Sequence, residues 1–189
     1  MKKHFLDEAT IIKDSYHLGV QVFDSGFRPT FIVGLWRGGS AIGIYVQECL
    51  QTLGVETNHI SLRTSYRGMA SYQNMINSPE NIRVHGTRYL LENLNADDRL
   101  LIVDDVCSSG HSIRAVKSRL EKSLKRNYPQ EVHTAVLWRR PRFKKNDNRI
   151  DYYLHTTEEW LVFPYELKGL THEEIEKYKP AVAPLIRRS

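Results

Sequence analysis

Two adjacent carboxylates, Asp104 and Asp105, stand directly after an apolar run, Leu101-Ile102-Val103, and a turn of small hydroxylated residues follows, Ser108-Ser109-Gly110, with His111 and Ser112 beyond it. These residue types in this order suit a phosphorylated sugar. A Ser-Ser-Gly turn lets several backbone N–H groups crowd around one phosphate, and a helix starting there presents the positive end of its dipole. The hydroxyls of Ser108, Ser109 and Ser112 add donors. Asp104 and Asp105 can reach the sugar hydroxyls of the same ligand, or a Mg ion held on them. A plain strand-to-helix turn, with Asp and Ser as caps, accounts for one Ser and one Asp. It does not account for two acids, three hydroxyls and a glycine in one run. A second segment, Arg37-Gly38-Gly39-Ser40, has glycines that allow close approach of backbone to a ligand and an arginine with a forked donor for phosphate oxygens. Alone it reads equally well as a tight turn with a surface arginine.

The elements that must position these residues alternate. Phe5, Ala9, Ile12, Tyr16, Val20 and Phe23 recur at helical spacing over residues 5 to 24, and Gly26 and Pro29 end that helix. Residues 30 to 35 form a short apolar run rich in β-branched residues, a buried strand. Residues 41 to 53 read as a helix closed by Gly54, and 56 to 63 as the next strand. Residues 64 to 83 are polar and hold Gly68, Asn74, Asn77, Ser78 and Pro79, the composition of a long mobile loop. Residues 99 to 103 are a second buried strand, 112 to 126 an amphipathic helix, and 132 to 138 a third strand. Strands alternating with helices imply an α/β fold with a central parallel sheet flanked by helices. One domain over residues 1 to 189 is expected: a core to about 138, a small hood of basic then aromatic character from about 139 to 170, and a C-terminal helix in 171 to 189. Thr171-His172-Glu173-Glu174 opens that helix as a capping box.

The segment from Leu101 to Ser112 resembles the signature by which type I phosphoribosyltransferases bind 5-phosphoribosyl 1-diphosphate (PRPP), two acids followed by a small-residue phosphate loop. The resemblance extends over residues 30 to 167, and its order of parts is similar to the hypoxanthine, xanthine and guanine members. It implies the type I phosphoribosyltransferase fold, Mg as cofactor, and transfer of ribose 5-phosphate from PRPP to a 6-oxopurine base with release of pyrophosphate, as in purine salvage. By the same resemblance Cys107, Ser108, Ser109, Gly110, His111 and Ser112 form the phosphate loop. Within it Cys107 reads as a small packing residue and His111 as a bystander. Asp104 and Asp105 serve the ribose and its metal. Arg37, Gly38 and Gly39 resemble the pyrophosphate loop, in which the peptide before the basic residue is often cis, here Trp36–Arg37. Ser65 and Tyr66 resemble the start of a lid that closes over PRPP and keeps water from the reacting carbon. Residues 152 to 166 resemble the hood of the microbial purine enzymes, which implies Trp160 stacked on the base, the backbone of Leu161 on its edge and Arg140 on its 6-oxygen.

The chain departs from that pattern twice. The hypoxanthine and guanine enzymes usually carry Asp where Ser108 stands, to manage the proton on the purine N7, and a serine hydroxyl is too weak an acid to replace it. They usually carry Lys where Arg140 stands, and arginine differs in shape and reach. Two alternatives follow, a PRPP- or nucleotide-sensing regulator with impaired catalysis and a phosphoribosyltransferase for another base. The bulk composition bounds the remaining classes. A net charge of +5, from 27 Lys plus Arg against 22 Asp plus Glu, comes in short scattered clusters without interleaved aromatics, so no nucleic-acid partner is expected. No apolar run is long enough to span a membrane, and the N-terminus meets acid too early for a signal peptide. With two cysteines, Cys49 and Cys107, free thiols and a cytoplasmic protein are expected. The resemblance implies a homodimer or homotetramer.

Overall fold

The computed structural model describes residues 2–66, 82–140 and 150–186. It divides into two compact units, Ile12–Glu158, and Met1–Ile11 with Glu159–Ser189. In chain order the elements are β1 (Lys3–Phe5), α1 (Glu8–Asp24), β2 (Phe31–Trp36), α2 (Gly38–Thr52), β3 (Asn58–Tyr66), β4 (Ile82–His85), α3 (Arg88–Asn93), β5 (Arg99–Cys107), α4 (His111–Leu124), β6 (Glu131–Arg139), β7 (Tyr152–Thr156), β8 (Trp160–Val162), α5 (His172–Tyr178) and α6 (Ala183–Ile186).

The larger unit is the expected helix-flanked sheet. Its strands run in the order β4-β3-β2-β5-β6-β7; only β4 is antiparallel to its neighbour. Strands buried on both faces need apolar residues at nearly every position, and β2 and β5 supply them. On one face Val33, Leu35, Leu62, Leu100, Ile102 and Val136 pack with Ile113, Val116 and Leu120, the apolar stripe of α4. Ile32, Leu101 and Val103 alternate with those residues and are fully buried too. This places β5 centrally, so its C-terminal end, with both acids, emerges between β2 and β6.

The segments that sequence misread have identifiable causes. The first helix starts at Glu8 rather than Phe5, because the Asp7 carboxylate accepts the Thr10 amide (2.8 Å) and hydroxyl (2.6 Å) and caps it. Residues 152 to 156, assigned to the hood, are instead the edge strand of the main sheet. Asp151 fixes them there: its carboxylate accepts both the amide (2.8 Å) and the hydroxyl (3.0 Å) of Thr134 on β6. The strand of residues 56 to 63 continues to Tyr66, and β4 begins at Ile82. The rest of the expected lid, residues 67 to 81, lies outside the described residues.

In the smaller unit β1 and β8 pair in parallel, Lys3 opposite Trp160 and His4 opposite Leu161. The capping box at Thr171 forms as expected. The Thr171 hydroxyl accepts the Glu174 amide at 3.2 Å and the Glu174 carboxylate accepts the Thr171 amide at 2.9 Å. That carboxylate also receives Lys3 Nζ at 2.7 Å on both oxygens, and Lys179 Nζ donates to the carbonyls of Phe163 and Pro164. Among the described residues no helix is long and apolar enough to cross a membrane. Cys49 and Cys107 are both free and buried.

Candidate functional site

Beyond the end of β5 the chain turns through Ser108 and Ser109 to Gly110, whose φ of 66° lies in the left-handed region that favours glycine. Gly110 is the residue before α4 and brings no capping side chain, and the His111 amide donates to the Ser109 hydroxyl at 3.5 Å. Here the structure forms a cavity of about 180 Å³, walled by Asp104, Cys107, Ser108, Ser109, Gly110, His111 and Ser112. Seven of the sequence-selected residues therefore meet around one small space at a helix N-terminus, the setting that suits an anion.

Asp105 does not line that space. Asp104 and Val106 line the cavity, while the Asp105 carboxyl interacts with that of Asp104 without lining it. The Asp105 carboxylate accepts the Val106 amide at 2.7 Å, and the Asp104 carboxylate accepts the Asp105 amide at 3.0 Å. Burial, and next the charge of Asp105, hold the Asp104 carboxyl well above the usual carboxylate range. Burial and then Asp104 push the Cys107 thiol up to about 11, which makes it a packing residue rather than a nucleophile.

The Arg37–Ser40 turn is packed against the same strand. A Cβ placed on Gly39 would collide with the Val103 carbonyl oxygen and stand 2.8 Å from Asp104 Cα. Only glycine lets α2 begin this close to the acid pair. Gly38 and Gly39 are buried, Arg37 is exposed, and the Trp36–Arg37 peptide is cis. From the other side, the hydroxyl of Thr64 on β3 lies 3.4 Å from that of Ser112, and the hydroxyl of Ser65 bonds His85 Nε2 at 2.7 Å. Tyr66 ends β3.

Arg140 is buried at the end of β6. Its amide donates to the Cys107 carbonyl at 2.9 Å, which ties its backbone to the end of β5, and its guanidinium reaches the Glu158 carbonyl at 3.4 Å. Trp160 and Leu161 belong to β8 in the smaller unit. Trp160 is 40% exposed, whereas Leu161 is buried. Three cavity-lining residues were missed by sequence, Ile82, Val106 and Ile113. Period-2 alternation from Asp104 finds Val106, and helical spacing finds Ile113. Ile82 carries no local signal, since it arrives through pairing of β4 with β3.

The family model for the phosphoribosyl transferase domain matches residues 2–169. Solved structures share the fold at low identity. A purine phosphoribosyltransferase from Pyrococcus horikoshii is 21% identical with a TM-score of 0.65, over 90% of this chain and 98% of that one. The xanthine-guanine-hypoxanthine phosphoribosyltransferase of Helicobacter pylori is 18% identical with a TM-score of 0.64, over 88% and 95%. A hypothetical protein from Neisseria gonorrhoeae with bound ppGpp is 16% identical with a TM-score of 0.70, over 95% and 97%. No curated protein matches the chain.

Proposed function

Since the chain belongs to the phosphoribosyl transferase domain family, we propose that it transfers ribose 5-phosphate from PRPP to a 6-oxopurine base and releases pyrophosphate. The observation that carries this reading is the small cavity at the start of α4, with Asp104 on its wall and the Gly39 turn pressed against the same strand. Ser108, Ser109 and Ser112 and the first-turn amides of α4 hold the 5-phosphate. Asp104 takes the ribose hydroxyls. Arg37 and the backbone of Gly38 and Gly39 hold the pyrophosphate, whose leaving charge grows as positive charge grows on the ribose carbon. Ser65 and Tyr66 help cover the sugar. Trp160 offers a ring face to the base, the main chain of Leu161 its edge, and Arg140 donors for the 6-oxygen.

A Mg ion fits Asp104 and Asp105: both give hard oxygen donors, and a divalent cation relieves the repulsion that adds to burial in lifting the Asp104 carboxyl. When bound it supplies neutralising charge for the pyrophosphate. The enzyme is proposed to be cytoplasmic, to use no nucleic acid or membrane, and to form a homodimer or homotetramer, which sedimentation equilibrium resolves. The deciding experiment offers PRPP and Mg with hypoxanthine, guanine, xanthine, adenine or orotate and measures pyrophosphate release. Release highest with a 6-oxopurine supports the reading, and release highest with adenine or orotate refutes the base assignment.

A second reading is favoured by Ser108, which leaves the loop without the carboxylate usual in the hypoxanthine and guanine enzymes. In that case the chain binds PRPP or a nucleotide without turnover, as a regulator; the Neisseria protein of like fold has ppGpp bound. Ligand binding by calorimetry with no pyrophosphate release from any base selects it.

A further inference from the structure

Beside the phosphate cavity runs a second, larger hollow of about 740 Å³ between β4 and α4. Its polar lining is of one sign. Arg83 and His85 come from β4, Arg114, Ser118, Arg119 and Lys122 from α4, and among the described residues no carboxylate lines it. The alternation of β4 turns Arg83 and His85 to the exposed side, while Ile82 and Val84, which alternate with them, are half-buried. On α4 the residues at 114, 118 and 122 recur every four positions and Arg119 lies beside them, so they share one face, opposite the buried stripe of Ile113, Val116 and Leu120. Among the described residues, Arg83, Arg119 and Lys122 take part in no ion pair. Arg119 and Lys122 are like charges three positions apart on one helix, an arrangement that costs helix stability unless an anion is present.

We propose that this hollow binds a compact polyanion, a chain of phosphoanhydride-linked phosphates. The site is separate from the one assigned to PRPP and does not depend on the transferase reading. Two features select a compact polyphosphate over a nucleic acid. The cationic face from Arg114 to Lys122 covers only about 12 Å of helix, at ~1.5 Å per residue, the length of a few linked phosphates. Among the described residues its lining has no Phe, Tyr or Trp, and single-stranded nucleic acids are held by aromatic stacking platforms as well as charge. Ile82 and His111 line both this hollow and the phosphate cavity, so an occupant here adjoins whatever sits in the loop and can alter its binding.

The test is calorimetric titration of the full-length protein at low salt with inorganic tripolyphosphate, a nucleoside 5′-triphosphate and a short single-stranded RNA. Tripolyphosphate is expected to bind, with an affinity that falls steeply as salt rises. Arg119→Gln/Lys122→Gln, both exposed and outside the PRPP machinery, is expected to weaken it by about tenfold or more, since each charge-assisted contact is worth that much. Arg83→Gln, on the other wall, should weaken it too. PRPP affinity in the α4 double variant, measured without polyphosphate, should stay within about twofold of the parent, because neither Arg119 nor Lys122 lines the cavity assigned to PRPP. Equal affinity for tripolyphosphate and the nucleoside triphosphate assigns the site to the phosphate chain alone, whereas tighter binding of the nucleotide makes it a nucleotide site. The proposal is overturned if tripolyphosphate does not bind, if RNA binds more tightly than either polyphosphate, or if all variants bind as the parent does.

Discussion

Replacing Gly39 by alanine probes the contact between the Arg37–Ser40 turn and β5 in the proposed PRPP site. The added methyl would meet the Val103 carbonyl oxygen and Asp104 Cα, both backbone atoms of a central strand that cannot swing aside. Moving from 2.8 Å to the 3.4 Å at which ordinary contact begins requires a displacement of about 0.6 Å, and the carbonyl contact demands more. The strand is hydrogen-bonded on both sides, so the Arg37–Ser40 turn must give way. Overpacking of this kind costs roughly 1–3 kcal/mol of stability. A reacting group misplaced by ~1 Å loses about 10²-fold in rate, so Gly39→Ala should lower pyrophosphate release by roughly ten- to a hundredfold. Gly19→Ala is the matched control. Its methyl would lie 2.8 Å from Cys49 Cβ, a milder clash with a side chain that does not line the cavity, and it should lower stability while leaving PRPP affinity unchanged. Urea unfolding gives the stability term, and calorimetry with PRPP gives the site term. If Gly39→Ala binds and turns over PRPP as the parent does, the turn is not part of the site.

Asp104→Asn with Asp105→Asn should weaken PRPP binding by about tenfold or more, since each lost charge-assisted contact is worth ~1.5–3 kcal/mol, without lowering the melting temperature, because burial already opposes the charge on Asp104; unchanged affinity in the folded double variant refutes their role. Burial pushes the Tyr128 phenol up to about 12, so between its ordinary value near 10 and that value the folded chain keeps a proton the unfolded chain has lost, and stability falls as pH rises through this window. Tyr128→Phe should remove that part of the alkaline decline, and parallel stability curves for the two proteins would count against it. For the base, a buried donor left without its acceptor costs roughly 1–3 kcal/mol, about 5- to 150-fold, so adenine should trail hypoxanthine or guanine by such a margin. Arg140→Met should shrink that margin and Trp160→Ala should weaken all purines together; a ranking that ignores Arg140→Met refutes the assignment.

Sequence carried the fold where it is encoded locally. β2 and β5 are apolar at nearly every position because both faces are covered, and α4 shows its buried stripe at Ile113, Val116 and Leu120 in the bare spacing. Elements defined by distant partners left no such trace. Lys3–Phe5 is a strand only because it pairs with Trp160–Val162, and Tyr152–Thr156 joins the main sheet through Asp151 gripping Thr134. A pattern read along the chain cannot register either bond, since each depends on a partner's position and not on local periodicity.

The candidate site divides along the same line. Its phosphate half is one unbroken string, β5, loop and start of α4, so composition and order sufficed to assemble Asp104 and Ser108 through Ser112 around one cavity. What the string could not reveal was which acid faces that cavity, although strand alternation required that only one of two neighbours would. The contact of Gly39 with Val103 and Asp104 was hidden for another reason: it joins a turn to a strand some 65 residues away, and glycine signals a close approach without naming the partner. The cationic hollow was hidden most deeply. Arg83 and His85 look like ordinary exposed residues of a short strand, and Arg114, Arg119 and Lys122 look like the solvated face of an amphipathic helix. Composition reported only a modest positive surplus and took it for scattered. Pairing of β4 with β3 sets one group beside the other, and that arrangement turns two unremarkable charge patterns into a single cationic surface next to the phosphate loop.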